Sequence, residues 1–417
     1  MKHVERRGRI RTDRGFFRKG LITLLTLGMG VLLMGGLTSP GDAAILYVRE
    51  DGTGDGSGGW ENASGDLGET LKNAQSGDQI WVARGTYEPT LDVDYDVPGS
   101  IELTTFALKS GVSLYGGFAG DETQLDQRDP QANPTTLTGD NMSSYPKRNS
   151  YHVVTAFGQE GTSITAPMRL DGFIVTGGNA DGAGANGANG MGGGMYTRLT
   201  HKHLAVANCT FTHNAAEKGG GLHNTWGSNP TITNCTFTRN AAERGGGIYN
   251  DGSSPTVTDC TFSRNSATSH GGGIYNENSS PAVTDCTFSE NTAQDGGGMF
   301  NYSKPTTITN CTFSRNTITG NGGGVYNYLS NSTITNCTFF QDTAHNGGGV
   351  YNNYKSHSIV TNCTFSENNA SGQGRGMYND NASNPTVRNC IFWNSPGSQI
   401  YNHGAINVPV VSYCVVR

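Results

Sequence analysis

The sequence predicts an all-β fold, a right-handed parallel β-helix built as a solenoid of coils of roughly 25 residues. Nine cysteines recur through the second half of the chain at intervals of 24 to 27 residues. A typical repeat carries Asn-Cys-Thr-Phe or Asp-Cys-Thr-Phe, then Asn-x-Ala, then three glycines, an aliphatic residue, an aromatic residue and Asn, as in Thr231 to Asn250. A repeat this short, without helical spacing, indicates stacked coils rather than a globule with one central core.

Residues 1–44 predict a signal peptide. A basic stretch, Lys2 to Lys19, precedes an apolar run from Leu21 to Leu37, and the small residues Ala43 and Ala44 offer a cleavage site. Glycines interrupt the apolar run, which favours export over a permanent membrane span. We therefore expect a secreted or cell-surface protein, with an uncleaved anchor as the alternative.

The charge of the chain argues against a nucleic-acid partner. The net charge is −6 at pH 7, and a substantial share of the Lys and Arg residues lies in the leader. The chain left after cleavage is therefore more acidic still, and an acidic surface repels phosphate backbones and anionic lipids. We expect no nucleic-acid partner and no membrane span after cleavage.

Residues 45–90 predict an N-terminal cap and a first coil. Asp66 is placed to cap a short helix that carries Leu67, Leu71 and Ala74 on one face. Such a helix would close the open end of the stack. Residues 91–194 predict irregular coils, in which short strands are separated by Gly, Pro and Asn turns.

Residues 195–417 predict the regular coils, each with three short strands. The β-branched residues ahead of each Asn-Cys pair form the first strand. Cys235 and Phe237 lie two residues apart and so share the inward face of the second strand. In the third strand Ile248 points inward and Tyr249 points outward. One strand of each kind from every coil gives three parallel sheets.

Columns of like side chains follow from this stacking. The inward phenylalanines form a ladder, in which each buried ring contributes roughly 1.5 to 3 kcal/mol. The ladder comprises Phe211, Phe237, Phe262, Phe288, Phe313, Phe339, Phe365 and Phe392.

The Asn or Asp before each cysteine lies at a bend, because Asn tolerates the left-handed conformation. The bend column comprises Asn208, Asn234, Asp259, Asp285, Asn310, Asn336, Asn362 and Asn389, so that Asp259 and Asp285 interrupt an amide ladder.

The cysteines predict a buried stack of free thiols. In an exported protein they would ordinarily indicate disulfides. Stacked neighbours have parallel side chains, however, whereas a disulfide needs two Cβ atoms turned toward each other at a dihedral near ~90°. No two cysteines have the CxxC spacing of a zinc site.

The end of the chain predicts an open edge. Tyr413 to Val416 reads as a strand, and no cap follows it. Natural proteins normally cover such an edge, because its unpaired backbone groups can pair with another chain. We expect a truncated chain, or one that a partner caps at this edge.

The leading candidate for a binding site is the outward aromatic column. Flat rings at a fixed spacing offer a platform to sugar faces or to apolar residues of another protein. The alternative is a self-stacking ladder that only stabilises the sheet. The predicted ligand-binding residues are Tyr249, Tyr275, Phe300, Tyr326, Tyr351 and Tyr378, and Tyr196 and His223 precede them in the same column.

A weaker candidate is the pair Asp259 and Asp285, at equivalent positions of neighbouring coils. Two carboxylates ~5 Å apart could hold Ca²⁺ or share a proton in general acid and base catalysis. Drift of the repeat from Asn to Asp explains them equally well. We assign no catalytic residue beyond this pair, and no cofactor or metal other than that Ca²⁺.

Two parts of the sequence resemble known families. The Phe-x-x-Asn spacing, as in Phe237 to Asn240, and the Gly-Gly-Gly-Ile-Tyr segments are similar to the polymorphic outer membrane protein repeat of chlamydial surface proteins. The front half resembles exported bacterial β-helix proteins of the pectin lyase-like superfamily, on the segments Tyr47 to Trp60, Gly77 to Thr90, Ser110 to Thr123 and Leu170 to Gly178. The resemblance implies a β-helix at the bacterial outer membrane or outside the cell. It leaves the activity open, because this fold hosts adhesins, lyases and hydrolases.

We therefore expect a non-enzymatic adhesion module that binds an extracellular glycan or a surface protein. The alternatives are a polysaccharide lyase or glycoside hydrolase, and a structural surface spacer. An enzyme needs a groove with non-repeating charged residues that include a base, whereas an adhesin can bind through the repeated column itself.

Overall fold

The computed structural model describes residues 43–90, 104–140, 149–158, 166–181, 190–393, 397–404 and 408–416. The predicted signal peptide lies, up to residue 42, outside the described residues. Within these ranges, no helix combines the length and the apolar character needed to cross a membrane.

The predicted parallel β-helix is confirmed. The chain winds through sheets that we number 1 to 4 in the order in which one coil visits them, and strands of successive coils pair in parallel. Phe237 pairs with Phe262, for example, and Tyr249 with Tyr275. Each coil therefore bonds through its backbone to the coils before and after it.

From the coil of Met168–Asp171 onward, each strand of sheet 1 is followed directly by a strand of sheet 2. The 13 strands of sheet 1 are Ile45–Val48, Gln79–Ala83, Ser113–Phe118, Met168–Asp171, Leu204–Ala207, Thr231–Thr233, Thr256–Thr258, Ala282–Thr284, Thr307–Thr309, Thr333–Thr335, Ile359–Thr361, Thr386–Arg388 and Val410–Ser412. The 12 strands of sheet 2 are Gly85–Tyr87, Thr135–Thr138, Phe173–Thr176, Thr210–Thr212, Thr236–Thr238, Thr261–Ser263, Thr287–Ser289, Thr312–Ser314, Thr338–Phe340, Thr364–Ser366, Ile391–Trp393 and Val415–Val416.

Sheets 3 and 4 complete the coil. The 8 strands of sheet 3 are Asn179–Ala180, Ala215–Lys218, Ala241–Arg244, Ser266–His270, Thr292–Ala293, Thr317–Ile318, Thr343–Ala344 and Asn369–Ala370. The 11 strands of sheet 4 are Phe106–Ala107, Val154–Phe157, Met195–Arg198, Leu222–Thr225, Ile248–Asp251, Ile274–Glu277, Met299–Tyr302, Val325–Tyr328, Val350–Asn353, Met377–Asn379 and Ile400–Asn402.

The prediction of three sheets is wrong, because the corner after each Phe strand is itself a strand. Sheet 3 occupies the stretch between the Phe strand and the three glycines, as at Ala241–Arg244, where the sequence analysis placed no strand. Its strands are as short as Thr292–Ala293, and they pair from coil to coil. A strand of two residues is too short to leave a period-two pattern in the sequence.

The predicted capping helix is confirmed as Leu67–Asn73. The Asp66 side chain accepts a hydrogen bond from the Glu69 backbone N–H at 3.0 Å, which caps the first turn. Leu67, Leu71 and Ala74 are buried in the main core. Short 3₁₀ helices at Trp60–Asn62 and Leu125–Gln127 are the other helical segments of the described chain.

The bend column has the conformation that the sequence predicts. Asn234, Asp259 and Asp285 have φ values of 51°, 54° and 53°. The amides form the expected ladder, since Asn336 Nδ2 donates to Asn310 Oδ1 at 3.2 Å and Asn234 Nδ2 donates to Asn208 Oδ1 at 2.7 Å. This column turns the chain from sheet 1 into sheet 2.

The cysteines form the predicted stack of free thiols. Cys235 and Cys260 are 1% exposed, and the Cys235 thiol lies 3.3 Å from the Thr233 carbonyl. Burial raises the pKa of Cys235, which holds it as the unreactive thiol. Only Cys414 is partly exposed.

We expect a thiol reagent to label Cys414 readily in the folded chain and the other cysteines only after denaturation. The physical reason is that attack requires an accessible thiolate. Titration of the chain with Ellman's reagent, with and without guanidinium, measures this. A loss of titratable thiols that a reductant restores would mean disulfides and would contradict the stack.

Candidate ligand-binding groove

The outward aromatic column is not exposed as predicted. Its rings belong to a cluster separate from the main core, so they do lie on the outer side of sheet 4. Their exposed fractions are nevertheless only 0% for Tyr249 and 5% to 7% for the rest of the predicted set. The rings therefore do not present free faces to a ligand. The residues in question are Tyr249, Tyr275, Phe300, Tyr326, Tyr351 and Tyr378.

Stacking accounts for this burial. Tyr249 and Tyr275 have ring centroids 5.0 Å apart, and Phe300 and Tyr326 are 4.6 Å apart, so each ring covers its neighbours' faces. The column extends to His223, which lies 4.8 Å from the Tyr249 ring. The self-stacking alternative of the sequence analysis describes this geometry.

A first row of polar side chains flanks the aromatic column on the side of sheet 3. Arg244 pairs in register with His270, His270 with Asp295, and Asn321 with Asn346. These residues immediately precede the three glycines of each repeat. The first glycine has positive φ, 67° at Gly245, and a Cβ there would meet Tyr249 Cβ at 3.0 Å. The glycines thus let the backbone pass close to the rings while the flanking side chains project beside them.

A second row flanks the column on the opposite side, at the last residue of each sheet 4 strand. Asp251, Glu277, Tyr302 and Tyr328 follow one another in register, two residues after the stacked rings. Glu277 Oε2 accepts a hydrogen bond from the Tyr249 hydroxyl. Tyr302 and Tyr328 are partly exposed, and their rings stack with centroids 5.5 Å apart.

The two rows and the ring column together form what we call the axial groove, because it runs from coil to coil along the solenoid. The floor is the ring column from Tyr275 to Tyr326, and the walls are the row Arg244, His270, Asp295 and the row Glu277, Tyr302, Tyr328. The groove has a volume of about 350 Å³ over these coils. An extended chain molecule fits such a shape better than a compact one.

Electrostatics differ along the groove. His270 Nε2 lies 3.6 Å from Asp295 Oδ2, and the His270 ring packs edge-on against Phe300 at 4.6 Å. Burial lowers the pKa of His270 and raises the pKa of Asp295, which favours the neutral form of each. Burial, and then the Glu277 charge, raises the pKa of Asp251. Farther along, the walls carry the uncharged Asn321 and Tyr328.

The weaker candidates Asp259 and Asp285 lie elsewhere. Both are exposed members of the bend column, in coils whose sheet 1 strands pair directly. Asn310 Nδ2 donates to Asp285 Oδ1 at 3.0 Å, so Asp285 serves as a rung of the amide ladder. The described residues include no cluster of three or more His, Cys, Asp or Glu side chains that could hold a metal ion. The roles in catalysis or Ca²⁺ binding stay predictions.

A second concave surface lies beside sheet 2, near a buried ion-pair cluster. It has a volume of about 830 Å³ and is lined by Arg128, Asn208 and Phe173, among others. Arg128 and Arg169 both pair with Asp171, at 2.6 and 2.5 Å, and Asp171 is 1% exposed. Burial raises the pKa of Asp171, but hydrogen bonds from Asn208 and Arg128 outweigh burial and hold it below its usual value. Both guanidinium groups are thus engaged within the protein.

Sequence reasoning missed both walls of the axial groove. The repeat does contain a signal for them, because the wall residues occupy fixed positions in it. One wall lies directly before the three glycines, and the other lies two residues after the aromatic residue. Their chemical variety hid them, since Arg244, His270 and Asp295 share no residue type. In a stacked coil, position and not identity decides which side chains become neighbours.

Comparison with known proteins identifies the family. The family model described as "right handed beta helix region" matches residues 171–339 and 300–417. The chain belongs to this right-handed β-helix family. The predicted handedness and parallel architecture are thereby confirmed, whereas the likeness to the chlamydial repeat stays a prediction.

Several solved structures are similar to the chain at low identity. Pectate lyase Pel9A is 14% identical, with 90% of this chain and 79% of that chain covered and a TM-score of 0.39. The catalytic unit of the GH87 α-1,3-glucanase from Streptomyces thermodiastaticus strain HF3-3 is 13% identical, with 88% and 68% covered and a TM-score of 0.42. The family 28 exopolygalacturonase of Yersinia enterocolitica is 11% identical, with 90% and 78% covered and a TM-score of 0.35. The comparison with curated proteins gave no match. The likeness to these enzymes is one of fold.

Proposed function

We propose that the chain is a non-enzymatic module outside the cell that binds a linear glycan along the axial groove. The observation that carries this proposal is the alignment of three in-register rows into one groove parallel to the solenoid axis. A linear polymer repeats along its length, as the coils do, so one groove can contact several successive sugar units.

The second wall supplies groups that suit sugars. The rings of Tyr302 and Tyr328 are partly exposed, and aromatic rings pack against the apolar faces of sugars. On the opposite wall, Asn321 lies in the coil of Tyr328 and Asn346 in the next coil, and Asn346 Nδ2 donates to Asn321 Oδ1 at 3.0 Å. Both side chains are partly exposed, so these amides offer polar contacts to a ligand. The ligand contacts are thus expected from the walls, with the stacked floor holding the walls in place.

One observation favours an enzyme as the second candidate. Arg244, His270, Asp295 and Glu277 form a non-repeating set of ionisable side chains in the groove, and the pKa values of His270 and Asp295 are shifted. Such a set is what a lyase or hydrolase would need, with the pair His270 and Asp295 as the acid or base. Structural ion pairs shift pKa values in the same way, so we rank this candidate second.

Replacement of both Tyr302 and Tyr328 by Ala is expected to weaken glycan binding by roughly tenfold or more, because two aromatic contacts are lost. A glycan array screened with the purified chain identifies the ligand, and calorimetry with that glycan measures the affinity of each variant. Tyr413→Ala is the matched control, since Tyr413 is 88% exposed and lies outside the groove. Its affinity is expected to equal that of the unmodified chain.

The same samples separate the candidate functions. Binding without release of reducing ends or unsaturated products supports the module. Turnover that Asp295→Asn abolishes would establish the enzyme instead. Unchanged affinity in the double tyrosine variant would contradict glycan binding in the axial groove. If no glycan binds at all, the structural surface spacer remains as the function.

A further inference from the structure

The outer face of sheet 1 carries a regular array of threonines, on a different sheet from the axial groove. The third residue of six successive strands is threonine, and these residues pair in register: Thr233, Thr258, Thr284, Thr309, Thr335 and Thr361. The first residue of the same strands forms a parallel column that is threonine except at Ala282 and Ile359. We call these two columns the threonine face.

The hydroxyls of the threonine face are free to bond outside the protein. Within the described chain none of them has a hydrogen-bond partner, and the side chains are exposed or partly exposed. By contrast, the hydroxyls of Tyr249, Tyr326 and Tyr351 in the ring column of sheet 4 all have partners. Neither column contains a charged residue from Thr231 to Thr361. The face is therefore uncharged and offers both donors and acceptors.

The array is regular in both directions. Beneath the adjoining sheet 2, the rings from Phe237 to Phe365 stack at 4.6 to 5.0 Å with interplanar angles of 3° to 6°. Successive coils are thus superposed with little rotation. Along a strand, residues two positions apart are separated by about 7 Å. The threonine side chains are also stiff at χ1, so the hydroxyls and methyls hold fixed positions.

We propose that the threonine face binds the surface of ice crystals. Its partner has to be uncharged, to donate and accept hydrogen bonds, and to repeat in two dimensions on the scale of the array. Water molecules on an ice face meet all three conditions. A rigid array fixes its bound waters at low entropic cost, because neither the side chains nor the backbone must be ordered on binding.

A crystalline polysaccharide is the competing partner, and the composition of the face disfavours it. No aromatic residue stands in either column from Thr231 to Thr361, and aromatic rings are the usual contact for sugar faces. Tyr302 and Tyr328, whose rings are partly exposed, lie in the axial groove instead. Threonine also has a high β-propensity, which by itself favours threonine in these strands. That propensity does not predict an interaction with ice.

Thermal hysteresis and inhibition of ice recrystallisation by the purified chain test the proposal. We expect both activities in the unmodified chain and the loss of most of both in the double variant Thr309→Tyr, Thr335→Tyr, because two bulky rings lift the ice surface off the array. The matched control is Thr292→Tyr, Thr317→Tyr, which makes the same changes at exposed positions of sheet 3. The control is expected to keep both activities.

Circular dichroism and thermal melting of both variants show whether each remains folded. A folded sheet 1 variant that keeps full hysteresis overturns the proposal, as does an unmodified chain that neither shapes nor slows ice. Binding of the chain to crystalline cellulose or chitin that the sheet 1 substitutions abolish, without activity on ice, assigns the face to a polysaccharide and also overturns it.

Discussion

Replacement of Asp342 by asparagine is expected to stabilise the folded chain, and the gain is expected to grow as the pH rises from about 4 to about 8. Asp342 is fully buried at the corner between sheets 2 and 3, in a column otherwise made of asparagines. The substitution therefore restores the residue that the repeat uses at this position.

The hydrogen bonds of this column show why an aspartate is less favourable than an asparagine at position 342. Asn316 donates its backbone N–H and Nδ2 to Asp342 Oδ1, at 2.9 and 2.8 Å, as the asparagines of the column do with one another. In the next coil Asn368 Nδ2 donates to the Phe339 carbonyl at 2.9 Å. Asp342 Oδ2 stands where such an amide would be, and it has no partner. A carboxylate there has one of its two oxygens buried without a hydrogen-bond donor, which is costly.

The sign of the pH dependence follows from the pKa. Burial raises the pKa of Asp342 from 3.8 to about 8 in the folded chain. Between these values the unfolded chain is ionised while the folded chain keeps its proton, so stability falls as the pH rises. At 1.36 kcal/mol per pKa unit the loss is on the order of 5 kcal/mol near pH 8. Asparagine does not titrate, so the variant escapes this loss.

Urea denaturation of the chain and of Asp342→Asn at several pH values measures the effect. Asp259→Asn is the matched control, because it makes the same change in an exposed column, and we expect it to alter stability by less than about 0.5 kcal/mol. A gain for Asp342→Asn that stays constant from pH 4 to pH 8 would show that Asp342 is ionised throughout and would contradict the argument.

The repeat made most of the fold predictable. The cysteine interval gave the length of a coil, and the alternation of Cys235 and Phe237 with partly exposed threonines indicated which residues face the core. The bend at Asn234 followed from its tolerance of positive φ. The capping helix followed from Asp66 and the spacing of Leu67 and Leu71, which are local signals.

The site was less predictable, because its geometry depends on neighbours that the pattern leaves unspecified. The side of sheet 4 on which Tyr275 lies follows from alternation. Its burial depends on the rings of adjacent coils, on His270 in the preceding strand and on Glu277 at the end of its own strand. The exposure of a side chain is thus set by several coils together, whereas the side of the sheet to which it points is set by one strand. Sheet 3 was not predicted for a related reason. Its shortest strands are recognised by their backbone pairing with neighbouring coils, and not by a pattern of residues in the sequence.

The Phe ladder offers the strongest test of which residues face inward. We expect Phe339→Ala to destabilise the chain by roughly 3 to 5 kcal/mol, the usual cost of removing a buried ring. Phe339 is 0% exposed and stacks between Phe313, at 4.9 Å, and Phe365, at 4.6 Å. Its loss leaves a cavity that the regular coils on either side cannot collapse to fill without breaking their own pairing.

The next residue provides a matched control within the same strand. Phe340 points to the outer side of sheet 2 and is partly exposed, so Phe340→Ala is expected to cost less than about 1 kcal/mol. Denaturant unfolding of both variants, with the m-value compared to that of the unmodified chain, measures the difference. Because stability in a solenoid is the sum of coils and their interfaces, the Phe339 variant is expected to weaken hydrogen-exchange protection most in the coils that contain Phe313 and Phe365. An equal loss of unfolding free energy in the two variants would mean that alternation along the strand does not decide which side chains face the core. The placement of the groove walls, which rests on the same alternation, would then also be wrong.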